Sequence, residues 1–259
     1  MFKADFTKTA NGSLSKAGML KKDPLGYFML SMLAGAFIGV GVLLAFTVGG
    51  QLDGAPYTKF VMGLCFGVAL SLVVMAGAEL FTGNNMVMAM GVMDKKIGWG
   101  EAVKLWVICW VGNLFGALVL AVLYHFTGLG TGAVGEFMAS AAYTKMSLGV
   151  VPLLTRGILC NFLVCLAVWS AGRATSDAGK LIMIFWCLFA FITTGFEHSI
   201  ANMTLMAVAL MEPSGQAVTI GGYFWNLLFV TIGNVIGGVI FVALPYYLAS
   251  RKDELGGFC

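Results

Sequence analysis

Polar and ionisable residues stand in the middle of two long apolar stretches of this chain. Residues 77–86 read GAELFTGNNM, and residues 195–203 read GFEHSIANM. A carboxylate and an imidazole can hold or share a proton, and amides can hydrogen-bond an anion, a water molecule or exposed backbone. Ionisable side chains at this depth in a membrane segment indicate a functional site.

The two stretches match each other at a fixed offset of 118 positions, which pairs Glu79 with Glu197 and Asn84 with Asn202. A second match, at an offset of 121, pairs the Gly-Asn-x-x-Gly segments 112–116 and 233–237. One unit is therefore predicted to occur twice. Because each unit holds three apolar spans, the halves enter the membrane from opposite sides. An inverted repeat of this kind places its site near the midplane.

Composition indicates an all-α membrane protein, because 59% of the residues are hydrophobic, 10% are charged and the mean hydropathy is +0.92. A span needs about 20 residues. Two of the six apolar stretches, 60–93 and 181–211, would be roughly 51 and 46 Å long as straight helices, which is longer than a single span needs. Each is predicted to be broken, at Gly83-Asn84-Asn85 and at Glu197-His198. The six stretches are 27–48, 60–93, 102–126, 150–170, 181–211 and 223–248.

The charges predict the orientation of a single membrane domain, residues 1–259, with half-repeats 27–126 and 150–248. Twelve lysines and arginines lie on the side of the termini, and three lie on the other side: Lys59, Lys145 and Arg156. The positive-inside rule then places both termini, and the polar segment 1–24, in the cytoplasm. Since the membrane accounts for the net charge of +3, no nucleic-acid partner is expected.

Metal, cofactor and enzyme chemistry find little support in the residue pattern. The chain has two histidines and no Cys-x-x-Cys pair, whereas a metal site needs clustered ligands. Ser199 beside His198 is the one neighbouring nucleophile and base, but adjacent helical positions point in different directions. We expect no cofactor, no metal and no enzymatic activity.

Three segments resemble signature segments of the formate/nitrite transporter family: 78–84, 157–165 and 195–203. The resemblance covers nearly the whole chain and is greatest for the hydrosulfide-conducting branch. It implies an aquaporin-like six-helix protomer in a homopentamer of the bacterial cytoplasmic membrane. Each protomer would hold a pore for a small monovalent anion, with hydrosulfide expected first and formate or nitrite also possible.

The resemblance also assigns site residues. It implies a central histidine, His198, that faces Thr82 in the loop breaking the second span, with Asn161 and Asn202 nearby. It implies that the N-terminal segment is a cytoplasmic helix that acts as a gate. The i, i+4 spacing of Phe2, Phe6, Ala10 and Leu14 fits an amphipathic helix, for which an interfacial anchor is an equally good interpretation. The other implied residues are an outer constriction (Phe66, Phe191), an inner constriction (Leu70, Leu80, Phe81, Val164), a vestibule lysine (Lys145) and the acid beside the histidine (Glu197).

Elementary electrostatics is consistent with such a conduit. Moving a bare anion into an apolar constriction costs on the order of tens of kcal/mol before relaxation. Lys145 would concentrate anions, and His198, whose resting charge the sequence leaves open, would supply or share a proton. Weak-acid anions should therefore pass and chloride should pass poorly. A proton-coupled secondary transporter is the alternative, because inverted repeats also build alternating-access machines.

Overall fold

The computed structural model describes residues 2–251, and regular structure in this range is helical. Met1 and residues 252–259 of the predicted domain, including Lys252 of the charge count, lie outside the described residues. Within the described range, six helices are long and apolar enough to cross a membrane. The helices are α1 Lys3–Lys22, α2 Pro24–Gln51, α3 Thr58–Leu72, α4 Phe81–Met93, α5 Trp99–Phe126, α6 Gly132–Met146, α7 Val150–Arg173, α8 Asp177–Thr194, α9 Ser199–Met211, α10 Ile220–Gly238 and α11 Leu244–Arg251.

Two of the predicted spans are divided, as the sequence indicates. The second span is α3, extended by a π-helical turn Val73–Gly77, followed by α4. The fifth is α8 followed by α9. The predicted all-α fold of six spans, with the second and fifth broken, is confirmed.

The position of the first break differs from the prediction. Gly77 takes a left-handed conformation (φ +83°), and α4 already begins at Phe81. The predicted break point, Gly83-Asn84-Asn85, and the predicted loop residue Thr82 therefore lie inside α4. The second break agrees with the prediction, because α8 ends before Gly195 (φ +81°) and α9 begins after His198.

Helices α1 and α6 lie on opposite sides of the molecule. Helix α1 leads directly into the start of α2, whereas α6 meets the end of α2 where Gly50 approaches Val134. We call the side that holds α1 and α11 the terminal side, and the opposite one the α6 side.

Helix α1 packs against the bundle through a face slightly different from the predicted one. Phe6 and Ala10 are buried, and the next buried position is Ser13, whereas Leu14 is 46% exposed. Leu14 of the predicted apolar face therefore does not pack on the bundle, and the buried face continues at Ser13, one position earlier. An ion pair of 2.9 Å between Asp5 and Arg173 also holds α1 on the terminal side.

Glycines bring the spans of each half into backbone contact. A Cβ atom on Gly116 of α5 would lie 1.8 Å from the carbonyl oxygen of Met32 in α2. In the second half, a Cβ atom on Gly237 of α10 would lie 2.4 Å from the carbonyl oxygen of Ile158 in α7. No side chain fits at either position, so the close α2–α5 and α7–α10 pairs fix the frame that carries the breaks.

Candidate functional site

Asn113 of α5 satisfies the backbone on both sides of the first break. Its side-chain oxygen accepts a hydrogen bond from the Phe81 amide at 3.0 Å. Its Nδ2 donates to the carbonyl oxygens of Glu79 at 2.9 Å and Ser31 at 2.7 Å. In a membrane interior these backbone groups have no water to bind, so a buried asparagine makes the non-helical segment tolerable.

Asn234 of α10 makes the equivalent bonds at the second break. Its oxygen accepts from the Ser199 amide at 3.0 Å, and its Nδ2 donates to the carbonyls of Glu197 at 3.1 Å and Gly157 at 2.8 Å. Asn113 and Asn234 are the residues that the sequence match pairs. The contacts agree with a 3+3 inverted repeat, although the sequence reasoning used both asparagines only as repeat markers.

The glutamate of each break forms an ion pair with a lysine from a helix outside the spans. Lys16 of α1 lies 2.5 Å from Glu79 Oε1, and Lys145 of α6 lies 2.8 Å from Glu197 Oε1 and 2.9 Å from Oε2. Sequence reasoning identified Lys145 and missed Lys16. Pairing α1, which precedes the first half-repeat, with α6, which precedes the second, would have indicated Lys16 as the counterpart of Lys145.

An asparagine on the following helix completes each carboxylate cluster. Asn84 donates to Glu79 Oε2 at 2.9 Å, and Asn202 donates to Glu197 Oε2 at 2.6 Å and to Asn226 at 2.9 Å. Asn202 thus supports Glu197, and no hydrogen bond joins it to the ring of His198. The carboxylates are fixed in place by a lysine and an amide each.

His198 is the N-cap residue of α9 and is 3% exposed. Its Nδ1 accepts a hydrogen bond from the Ala201 amide at 3.1 Å, and its Nε2 lies 3.1 Å from Thr82 Oγ1. Because Nδ1 is an acceptor, this hydrogen bond assigns the neutral ring with its proton on Nε2, which then donates to Thr82. Charging the ring would require the bond to Ala201 to break. The predicted facing pair of His198 and Thr82 is present, with Thr82 in the first turn of α4.

A cavity of about 530 Å³ on the α6 side, the vestibule, reaches His198. Phe66 and Phe191 line it and are each 1% exposed. Their ring centroids are 5.4 Å apart in an edge-to-face arrangement, and Phe191 also stacks on His198 at 5.9 Å. The two residues predicted for the outer constriction therefore lie together beside the histidine.

The four residues predicted for the inner constriction are buried and do not line the vestibule. Leu80 is the N-cap residue of α4 and corresponds in the repeat to His198, the N-cap residue of α9. The repeated frame thus carries an imidazole at one break and an aliphatic side chain at the other. The four residues are Leu70, Leu80, Phe81 and Val164.

Asn161 of α7 connects the first turn of α4 to α10. Its Nδ2 lies within hydrogen-bond distance of Thr82 O (3.2 Å), Asn85 Oδ1 (3.0 Å) and Asn234 O (2.6 Å), more acceptors than its two hydrogens can serve. Its Oδ1 is buried and has no partner among the described residues. This oxygen is an open acceptor next to Thr82.

Charged side chains of both signs line the vestibule. Lys145 and Glu197 are held by each other, whereas the remaining four have no ion-pair partner within 4.0 Å in the described part of the chain. Arg156 is half-buried, and the other three are exposed at the rim: Asp53, Lys59 and Glu136. Sequence reasoning counted Arg156 in the charge balance and missed its place in the site.

The fold and the site define a polytopic membrane protein built as an inverted repeat around two broken helices. A sequence profile described as "Formate/nitrite transporter" matches residues 5–248. The chain belongs to this family. It is 41% identical over 255 residues to the nitrite transporter NirC of Salmonella typhimurium. The matched region covers 98% of this chain and 94% of that protein.

Two solved structures are similar to this one. A structure described as an FNT family ion channel superimposes with a TM-score of 0.92 and 39% identity, over 96% of this chain and 99% of the other. A structure described as a pentameric formate channel with formate bound gives a TM-score of 0.79 and 30% identity, over 90% and 99%. Since these relatives are named for nitrite or formate where a substrate is named, the expectation of hydrosulfide stays a prediction.

Proposed function

We propose that the protein is a passive channel for small monovalent weak-acid anions, with nitrite and formate as substrates. The observation that carries the proposal is the vestibule that ends at Phe66 and Phe191, directly beside the hydrogen-bonded pair of His198 and Thr82. The names of the similar proteins support these substrates. Hydrosulfide, another weak-acid anion, is retained as a substrate to be compared.

The charge distribution supports an orientation in the membrane, and the similarity to solved structures supports an oligomeric state. The excess of lysine and arginine on the terminal side supports a cytoplasmic location for α1 and α11, in a bacterial cytoplasmic membrane. The likeness to a pentameric channel supports a homopentamer in which each protomer, a single channel domain, has its own pathway. The vestibule would then open to the exterior.

The hydrogen bonds of His198 support a specific role for it in transport. The neutral ring has one proton, on Nε2, and complete loss of that proton would leave an imidazolate. His198 therefore shares this proton in a hydrogen bond with Thr82 or the guest, and the guest takes its own proton from water. An anion that crosses Phe66 and Phe191 as its weak acid avoids the cost of bringing a bare charge into an apolar constriction.

Two variants of His198 test this role. His198→Phe removes the ring nitrogens and the cap of α9, whereas His198→Asn keeps a side-chain oxygen that can accept from the Ala201 amide. In proteoliposomes that contain folded assemblies, both variants should transport nitrite and formate more slowly, because the Nε2–H donor to the guest is lost, and the preference for these anions over chloride should narrow. His198→Asn should remain the more stable of the two, by about 1 kcal/mol.

Wild-type uptake rates of nitrite and formate, together with wild-type discrimination against chloride, in both folded variants would contradict the proposed role of His198. Exchange measurements address the mode of transport, because a neutral acid carries no current. Uptake of labelled formate that is unaffected by unlabelled formate inside the vesicles supports a channel, whereas acceleration by internal formate would favour the proton-coupled carrier that an inverted repeat can also build.

A further inference from the structure

We propose that Arg156, rather than Lys145, first holds the anion in the vestibule, and that its guanidinium selects planar anions with two oxygens. This inference rests on the proposed function, because it concerns the capture step of the same pathway. It follows from the pairing of each charge that lines the vestibule and from the shape of the guanidinium group.

Lys145 is already engaged. Its ammonium group contacts both oxygens of Glu197, at 2.8 and 2.9 Å, and the two side chains are only 19% and 2% exposed. Asn202 donates to the same carboxylate at 2.6 Å. The positive charge of Lys145 is therefore balanced by a fixed negative charge, and little of it remains to attract an anion from water.

Arg156 has no such partner. Its side chain lines the vestibule, is half-buried and makes no ion pair or side-chain hydrogen bond in the part of the chain that the structure describes. Its backbone is fixed beside the second break, because its carbonyl oxygen accepts from the Glu197 amide at 3.3 Å. The guanidinium group is therefore reachable from the vestibule and carries a charge that no carboxylate of the described residues balances, so an anion that enters can form charge-assisted hydrogen bonds with it.

The rim does not provide a competing attraction. Lys59 is exposed there together with two acids, Asp53 and Glu136, so the exposed charges of the rim are not positive in sum. Exposed charges are also screened over about 10 Å at 0.1 M salt. Arg156 is thus the half-buried cation of the vestibule whose charge is not balanced by an ion pair among the described residues.

The shape of the guanidinium group gives this site a preference. Arginine presents parallel N–H donors in a rigid plane that matches the two oxygens of a carboxylate, whereas a lysine ammonium is a point charge. Formate and nitrite each present two oxygens on one central atom. Hydrosulfide and chloride present one acceptor atom and cannot bind both donors in this way.

The test compares Arg156→Lys, which keeps the charge and removes the fork, with Arg156→Gln, which removes the charge. Initial rates of nitrite, formate and hydrosulfide uptake are measured against concentration in proteoliposomes, after size-exclusion chromatography shows an intact assembly. Arg156→Lys should raise the half-saturating concentration of nitrite and formate about tenfold and change that of hydrosulfide little. Arg156→Gln should raise it for all three anions. Maximal rates should stay near those of the wild type.

Lys59→Gln is the matched charge control in the same vestibule. It should weaken capture of the three anions equally, and only at low ionic strength. Wild-type half-saturation in both Arg156 variants would overturn the inference, as would a loss in Arg156→Lys that is equal for all three anions, or a fall confined to the maximal rate. Absence of nitrite and formate flux through the wild-type protein would overturn the proposed function as well, so the two failures are distinguishable.

Discussion

At the residue scale, the ion pair of Lys145 and Glu197 has consequences for stability. The carboxylate is 2% exposed and has Lys145 as its ion-pair partner. Removing the lysine leaves a buried charge that is not compensated, which typically costs about 3–5 kcal/mol. Lys145→Met should therefore lower the thermal stability of the purified protein, with little dependence on salt because the pair is shielded from water.

The double variant Lys145→Met/Glu197→Gln is the control for this prediction. It removes both charges and should recover most of the lost stability, as expected when a buried pair is replaced as a whole. A stable Lys145→Met protein whose anion capture fails only at low salt would instead restore Lys145 as the cation that concentrates anions at the mouth.

Single residues also show how far the sequence predicts the site. His198, Thr82, Phe66 and Phe191 were predicted and lie together, because the family resemblance assigns positions that no spacing rule connects. Arg156 was not distinguished from other basic residues. Whether a charge is paired depends on tertiary neighbours from another helix, which a local pattern cannot supply.

At the element scale, the six spans and the division of two of them were predicted, and the position of one break was not. A span that is too long for the membrane must be interrupted, but length does not say where. Gly77 and Gly83 are both glycines that could adopt the left-handed conformation at a break, and the sequence does not distinguish them. The break follows Gly77 because Asn113, on α5, receives the Phe81 amide and allows α4 to begin there.

The contact between α2 and α5 offers a test at this scale. Gly116→Ala places a methyl group where the Met32 carbonyl oxygen lies 1.8 Å away, and a backbone atom cannot rotate aside. We expect a loss of about 1–3 kcal/mol or more in the free energy of unfolding, measured by thermal denaturation in detergent. Since Asn113 lies on the same helix, the first break should be disturbed as well.

Gly100→Ala is the matched control on α5, because no atom beyond the adjacent residues and the backbone of its own helix lies within 4 Å of a Cβ atom at that position. It should be neutral or slightly stabilising, since alanine favours helix more than glycine. Equal stability of the two alanine variants would show that α2 and α5 separate without cost, contrary to the close packing described.

At the scale of the whole molecule, a symmetric frame carries asymmetric chemistry. Each half supplies a helix outside the spans with a lysine, a broken span with a glutamate, and an asparagine that hydrogen-bonds the backbone at the break. Only the second half places a histidine at the N-cap position, where the first half has Leu80. The symmetric hydrogen bonds therefore fix the two breaks in place, and the halves differ chemically in the side chain at the N-cap position.

Transport of the weak acid predicts that a proton moves with each anion. When a formate gradient is imposed across proteoliposomes that hold a pH-sensitive dye, the lumen should acidify as formate enters. A chloride gradient should give no such signal. The rate should increase as the external pH falls, because the neutral fraction of an acid rises about tenfold per pH unit when the pH is well above its pKa.

Liposomes without protein measure the leak of the neutral acid through lipid. Labelled formate entry in excess of that leak, without acidification or at a rate independent of pH, would mean that the bare anion crosses Phe66 and Phe191. The protein would then have to stabilise the charge inside the constriction, and the open acceptor and shared proton beside Thr82 would not be sufficient to explain passage.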